Sequence, residues 1–229
     1  MHAQTWRITL TFDNGPDPVV TPRVLDVLAG AGIKATFFVL GHKLQESAGR
    51  AAAERARREG HWIGNHTYNH AGPLGLCTDP DVGGREIGRT QALLGDLADE
   101  RRLFRPVGGG GRLGRHLLSR PALDHLMAGR YTCVLWNAIP RDWEDPEGWV
   151  ETALAQCRAL EWSLVVLHDV PSGAMDRLER FIAEARAAGA TFVQELPPAC
   201  LPLVRGQQVV PMDGYVTEAG EVGAATGSR

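Results

Sequence analysis

No apolar run in this chain approaches the roughly 20 residues a bilayer-spanning helix needs, so the sequence predicts no membrane-spanning segment. Cysteine is scarce: Cys77, Cys133, Cys157 and Cys200 are the only four in 229 residues, and no two form a CxxC pair. A disulfide framework and a cysteine metal knuckle are therefore excluded, and free thiols in or near a core are expected. Charge of neither sign prevails. Lys and Arg number 24 against 27 Asp and Glu, a net charge of −3, which gives no electrostatic footprint for nucleic acid or an anionic membrane. The opening MHAQTWRITLTF has no basic region, apolar stretch or small-residue cleavage site ahead of its first strand-like run, so a cytoplasmic location is expected. Internal repeats are also missing.

What is present is alternation. Trp6 to Phe12 has the β-rich pattern of a strand, and Thr21 as N-cap before Pro22, with Val24, Leu25 and Leu28, predicts a helix ended by Gly30 and Gly32. Strands are expected at 34–40, over HWIGN, over RLFRP, and at 131–136, 163–168 and 191–194. Helices are expected at 47–60, 81–98, 121–129, 146–160 and 174–188. Short connections between alternating strands and helices predict an α/β fold with a parallel sheet or barrel. Six or seven such units favour a barrel, whose chemistry gathers at the carboxyl ends of its strands. One domain is expected over 1–205 and an irregular tail over 206–229, where Gly, Glu and Thr dominate and periodicity fades.

Polar residues of catalytic type follow several of the predicted strands: Asp13-Asn14, His66 and His70, Arg105, Asp142-Trp143 and His168-Asp169. HTYNH places two imidazoles four apart, a spacing that lets both reach one cation, although a pair of surface or capping histidines has the same spacing. His168 ends the apolar run SLVVL, where partial desolvation makes an imidazole tunable near neutral pH. Asp142 could orient that imidazole, as carboxylates behind catalytic histidines do. The run VGGGGR at 107–112 has neither the Gly-Lys-Ser/Thr ending of a phosphate loop nor a dinucleotide GxGxxG context. Its glycines instead offer close backbone approach and N–H donors for a developing oxyanion.

Taken in order, TFDNGP, HTYNH, RPVGG, RDW and LHD resemble the five motifs of the NodB-homology polysaccharide deacetylases, carbohydrate esterase family 4, over about residues 6 to 195. The resemblance implies an incomplete, distorted (β/α)7-type barrel and a metal-dependent hydrolase acting on C–N bonds. It implies that Asp13 is the general base and that His66 and His70 ligate a divalent metal, zinc with cobalt or nickel as alternatives. Arg105 would hold the base, and the Gly108 N–H would help stabilise the oxyanion. Asp142 would tune the catalytic histidine, Trp143 would wall it, and Leu167 would line the acetyl pocket. His168 would be the acid that protonates the leaving amine. The implied reaction removes an N-acetyl or O-acetyl group from a carbohydrate or a small soluble N-acylated metabolite.

Three positions depart from the pattern. Asn14 stands where the family usually has a second Asp, its third metal ligand, and a neutral amide oxygen binds a cation more weakly than a carboxylate does. Val107 departs within the arginine motif, and Ile139 replaces the first Asp of DxxDW. The Asn14 departure leaves two alternatives open beside the deacetylase: a weak or inactive carbohydrate-binding or regulatory protein, and an allantoinase-like or imidase-like hydrolase of non-sugar amides.

Overall fold

The computed structural model describes residues 6–218. In chain order the elements are β1 (Trp6–Asp13), α1 (Val20–Ala31), β2 (Thr36–Val39), α2 (Ser47–Arg58), β3 (Trp62–Asn65), α3 (Arg89–Leu94), β4 (Leu103–Phe104), β5 (Leu118–Ser119) and α4 (Arg120–Ala128). They continue as β6 (Thr132–Cys133), α5 (Trp149–Arg158), β7 (Trp162–His168), α6 (Leu178–Ala187), β8 (Ala190–Val193), β9 (Leu203–Val204), β10 (Gln207–Gln208) and β11 (Val216–Thr217). The chain divides into two compact units of interleaved segments. The first is Met1–Val39, Lys43–Ile63 and Trp136–Cys200, and the second is Leu40–His42, Gly64–Leu135 and Leu201–Arg229. Of the helices, none among the described residues is long and apolar enough to cross a membrane.

The first unit is organised by β1. It pairs in parallel with β7 along its whole length, from Arg7↔Trp162 to Asp13↔His168. It also pairs in parallel with β2 near its end and β8 near its start. A parallel strand covered on both faces usually reads as a nearly unbroken apolar run; β1 instead alternates apolar residues with threonines and buries both sets. Ile8, Leu10 and Phe12 are fully buried, and so are the alternating Thr9 and Thr11. The two threonines bury their hydroxyls by donating to Glu195 O at 2.6 Å and Val165 O at 2.7 Å. The helices cover this sheet with buried stripes: Val24, Leu25 and Leu28 from α1, Trp149 and Leu154 from α5, Phe181 and Ile182 from α6.

The start of α1 differs from the expected Thr21 cap. The Asp17 carboxylate accepts the N–H groups of Val19 and Val20 at 2.9 and 2.7 Å, so the helix begins at Val20. Thr21 is left in the first turn with a different task, described below.

The second unit uses shorter strands. β4 pairs in parallel with β3 at Asn65↔Phe104 and with β6 at Leu103↔Thr132 and Phe104↔Cys133. β6 then pairs antiparallel with β9, and β9 with β10. Arg205 and Gly206, at φ of 48° and 81°, supply the left-handed pair that a two-residue hairpin turn requires. The expected irregular tail thus carries β10, and it also carries β11, which runs parallel to β5. Its last residues, 219–229, lie outside the described residues.

The single helix expected at 81–98 is three pieces: a π-helical turn at Gly83–Gly88, then α3, then a 3-10 turn at Gly95–Leu97. The glycines at both ends of the π-helical turn and at 95 explain the breaks, since glycine weakly resists leaving α geometry. All four cysteines are free. Burial pushes the Cys133 thiol up to about 12 and that of Cys157 up to about 11, so both are inert core groups.

Candidate active site

The residues marked in the sequence fall into two sets. Asp13, Asn14, Asp142, Trp143, Leu167 and His168 belong to the first unit, and His66, His70, Arg105 and Gly108 to the second.

In the first unit, the β1–β7 register makes Asp13 and His168 direct neighbours where both strands end. Asp142, fully buried, grips His168 twice. One carboxylate oxygen lies 2.8 Å from the ring Nδ1, and the other accepts the His168 backbone N–H at 2.9 Å. That fixes ring orientation and sets the proton on Nδ1 when the ring is neutral, leaving Nε2 for chemistry. The Trp143 ring meets the imidazole edge to face, centroids 4.8 Å apart at 77°. Burial by itself lowers the affinity of His168 for its proton. The Asp142 hydrogen bond, together with the charges of Asp142, Asp13 and Asp169, overrides burial and holds the imidazole above its ordinary 6.5. Leu167 is fully buried beside it in β7.

Asp169 has a role that no motif announced. Its carboxyl is buried against the Gly15 backbone: a Cβ on Gly15 would lie 2.2 Å from Oδ2 and 2.4 Å from Oδ1. Thr21 donates its hydroxyl proton to Asp169 Oδ2 and accepts the Asp17 N–H at 2.8 Å. One chain of hydrogen bonds therefore ties the turn after β1 to the end of β7. Burial pushes the Asp169 carboxyl up to about 7. The signal for it was LHD, but only packing shows that the Asp faces Gly15.

In the second unit, His66 follows β3, is nearly fully buried, and places Nδ1 2.8 Å from Arg105 O. A histidine that donates from Nδ1 to a carbonyl presents the Nε2 lone pair, the arrangement found behind metal-ligating imidazoles. Its ring and that of His70 are 5.1 Å apart between centroids. Arg105 follows β4 and is fully buried, its guanidinium donating to Val134 O at 3.2 Å and Leu135 O at 3.4 Å. Gly108 begins the glycine loop, and its carbonyl lies 3.2 Å from His116 Nε2. Gly109, Gly110 and Gly111 all have positive φ, 55°, 90° and 85°, a course that side chains resist.

In the second unit, the two imidazoles paired on one turn are donors of the kind that fit a divalent cation. In the first unit, the Asn14 Oδ1 is buried with no hydrogen-bond partner among the described residues, an acceptor whose burial otherwise costs free energy. Among the described residues no three His, Cys, Asp or Glu side chains group as ligands.

Comparison with known proteins identifies the chain's relatives. The model of the polysaccharide deacetylase family matches residues 3–115. A peptidoglycan-N-acetylglucosamine deacetylase of Bacillus cereus is 31% identical over 191 residues, a match covering 81% of this chain and 66% of that protein's length. A chitooligosaccharide deacetylase of Sinorhizobium fredii is 34% identical over 166 residues, 71% of each chain. Among solved structures, a family 4 acetyl xylan esterase from Clostridium thermocellum in complex with a cobalt ion is similar at TM-score 0.66 and 29% identity, covering 82% of this chain and 87% of that one. The fold class is accordingly the expected incomplete (β/α) barrel type. With these matches and its ordered strand-end motifs, the chain belongs to the polysaccharide deacetylase family, the NodB-homology hydrolases of carbohydrate esterase family 4.

Proposed function

We propose that this protein is a divalent-metal-dependent deacetylase that hydrolyses the N-acetyl group of an amino sugar in a glycan or small soluble N-acylated metabolite. The observation that carries the reading is the Asp13–His168–Asp142 group, a base and an acid side by side at adjoining strand ends with a carboxylate behind the acid. In this reading His66, His70 and Asn14 hold the cation, zinc or else cobalt or nickel. Such an ion, when bound, lowers the pKa of a water and polarises the acyl carbonyl.

The chain's own groups do the proton work. Asp13 takes a proton from the attacking water, and the Gly108 N–H donates to the oxygen that gains charge. Protonated His168 delivers its proton to the leaving amine, which departs as a neutral group. Asp142 keeps the ring aimed and charged until then. Arg105 steadies Asp13, Trp143 walls the reacting centre, and Leu167 borders the acetyl methyl. The relatives named as deacetylases of chitooligosaccharide and of peptidoglycan N-acetylglucosamine support an N-acetylated sugar.

The test is a panel of N-acetylated sugars, chitooligosaccharides and non-sugar amides, assayed for released acetate or amine with zinc or cobalt supplied. Acetate from sugars is expected. Release from cyclic or non-sugar amides alone would transfer the reading to an imidase-like hydrolase. Sugar binding without turnover on any substrate would make the chain a binding protein.

A further inference from the structure

The turn that carries both histidines is gripped by a carboxylate outside the five motifs. Glu86 lies in the π-helical turn Gly83–Gly88. Its Oε2 accepts the backbone N–H groups of Tyr68 at 3.0 Å and Asn69 at 2.9 Å, and its Oε1 accepts from Asn69 Nδ2 at 2.9 Å. The next residue adds a second tie, since Asn65 Nδ2 donates to Ile87 O at 2.9 Å while Asn65 Oδ1 accepts the Thr67 N–H at 3.0 Å. From the other side, the Tyr68 carbonyl takes the His42 N–H at 3.2 Å and lies 2.8 Å from His42 Nδ1. The Arg89 guanidinium sits 3.7 Å over the Tyr68 ring.

This turn needs holding. Thr67 and His70 both have left-handed backbones, at φ of 70° and 55°. Such conformations cost on the order of 1 kcal/mol or more in non-glycine residues and persist only where the surroundings over-determine them. Charge-assisted bonds from backbone N–H groups to a carboxylate are the strong kind, and a π-helical turn is a frequent companion of functional sites.

We propose that Glu86 is a positioning residue for the histidine pair: by fixing the peptides of Tyr68 and Asn69 it sets the angle at which His70 meets His66, and thus the affinity for the cation. The inference rests on the metal reading above, and its test separates the two. Cobalt is titrated into metal-free protein against a competing chelator, read by its visible absorption, alongside thermal melting of the metal-free chain. Glu86→Ala is expected to bind cobalt about 10–100-fold more weakly, the usual effect of losing support behind a ligand, with an altered absorption envelope. Glu86→Gln keeps one acceptor oxygen and is expected to lose about 3–10-fold.

If Glu86→Ala gives no cooperative melt, Glu86→Gln decides, and affinity within twofold of wild type overturns the proposal. Equal cobalt affinity in wild type and a folded Glu86→Ala also overturns it, leaving Glu86 as a loop anchor only. Wild-type chain that takes up no cobalt overturns the metal reading itself, and the positioning role with it.

Discussion

His168 acts through what surrounds it. Its imidazole is held above the ordinary 6.5, so the acid form outlasts neutrality and is lost as pH rises through the elevated pKa. Activity should therefore fall on the alkaline side with a midpoint above 6.5. Asp142→Asn removes the largest favourable charge and leaves the ring Nδ1 only a neutral acceptor. The alkaline limb should move to lower pH and turnover should fall by about 10²-fold or more. A pH–rate profile of acetate release checks both, and an unmoved limb would assign the titration to another group. Asn14 makes the complementary case. Its Oδ1, buried without a hydrogen-bond partner among the described residues, is a neutral oxygen where the resemblance implies a carboxylate. Asn14→Asp should tighten cobalt binding by about tenfold, since a charged oxygen is the better ligand for a hard cation. Unchanged affinity would show that residue 14 does not face the ion.

Among the elements, the turn after β1 shows how a short motif depends on distant support. Gly15 is required because the Asp169 carboxyl occupies the space a Cβ would take. Asp169 is buried and its Oδ2 is engaged by Thr21, so it cannot swing aside as an exposed side chain would. Gly15→Ala should cost about 1–3 kcal/mol, the usual range for overpacking, and should weaken cobalt binding by displacing Asn14. Adding Asp169→Ala removes the clash, so the double variant should lose less than the sum of the singles in a denaturant-melt cycle. Strict additivity would mean that the two groups do not meet. The piecewise helix at 83–97 tells the same story from the other side. Apolar periodicity there predicted one helix, but Gly83, Gly84, Gly88 and Gly95 allowed the backbone to widen and break. Glu86 now reaches the histidine turn from the π-helical piece.

Over the whole molecule, acid sensitivity should centre on His61. It is fully buried, its ring meets Phe37 edge-on, and its Nδ1 accepts the Ala35 N–H at 3.0 Å, so the native ring is neutral. Burial first, then the Lys34 charge, lower its pKa to about 4 from 6.5. Between those values the unfolded chain takes up the proton and the native chain does not, so stability falls as pH drops through that window. The loss is at most roughly 3 kcal/mol, from about 1.4 kcal/mol for each tenfold difference in proton affinity between the two states. Asp169, raised to about 7, slopes the other way over an overlapping range, because there the native state holds the extra proton. The contribution of His61 is therefore read by difference. Urea unfolding at pH 7 and pH 5 should show a smaller loss in His61→Asn, which keeps an acceptor for Ala35 but cannot charge. Equal losses would move the acid sensitivity to other groups.

The sequence by itself determined the local items. A β-rich alternation specified β1, and a nearly unbroken apolar run specified β7, since a parallel strand buried on both faces has little choice of composition. The polar residues ending those runs were legible because the strand-like apolar pattern stops there. The strands expected over RLFRP and 131–136 were legible but are shorter in the structure, as β4 and β6, whereas β10 was not legible, because pairing rather than pattern makes it a strand. Only the tertiary structure decided which polar group serves which. Asp142 meets His168, the pairing the sequence suggested, but Asp169 turns from its neighbour His168 to Gly15. Glu86 serves a turn 17 and 18 positions before it. Those partnerships are made with backbone N–H groups and with space, and neither has a letter in the sequence.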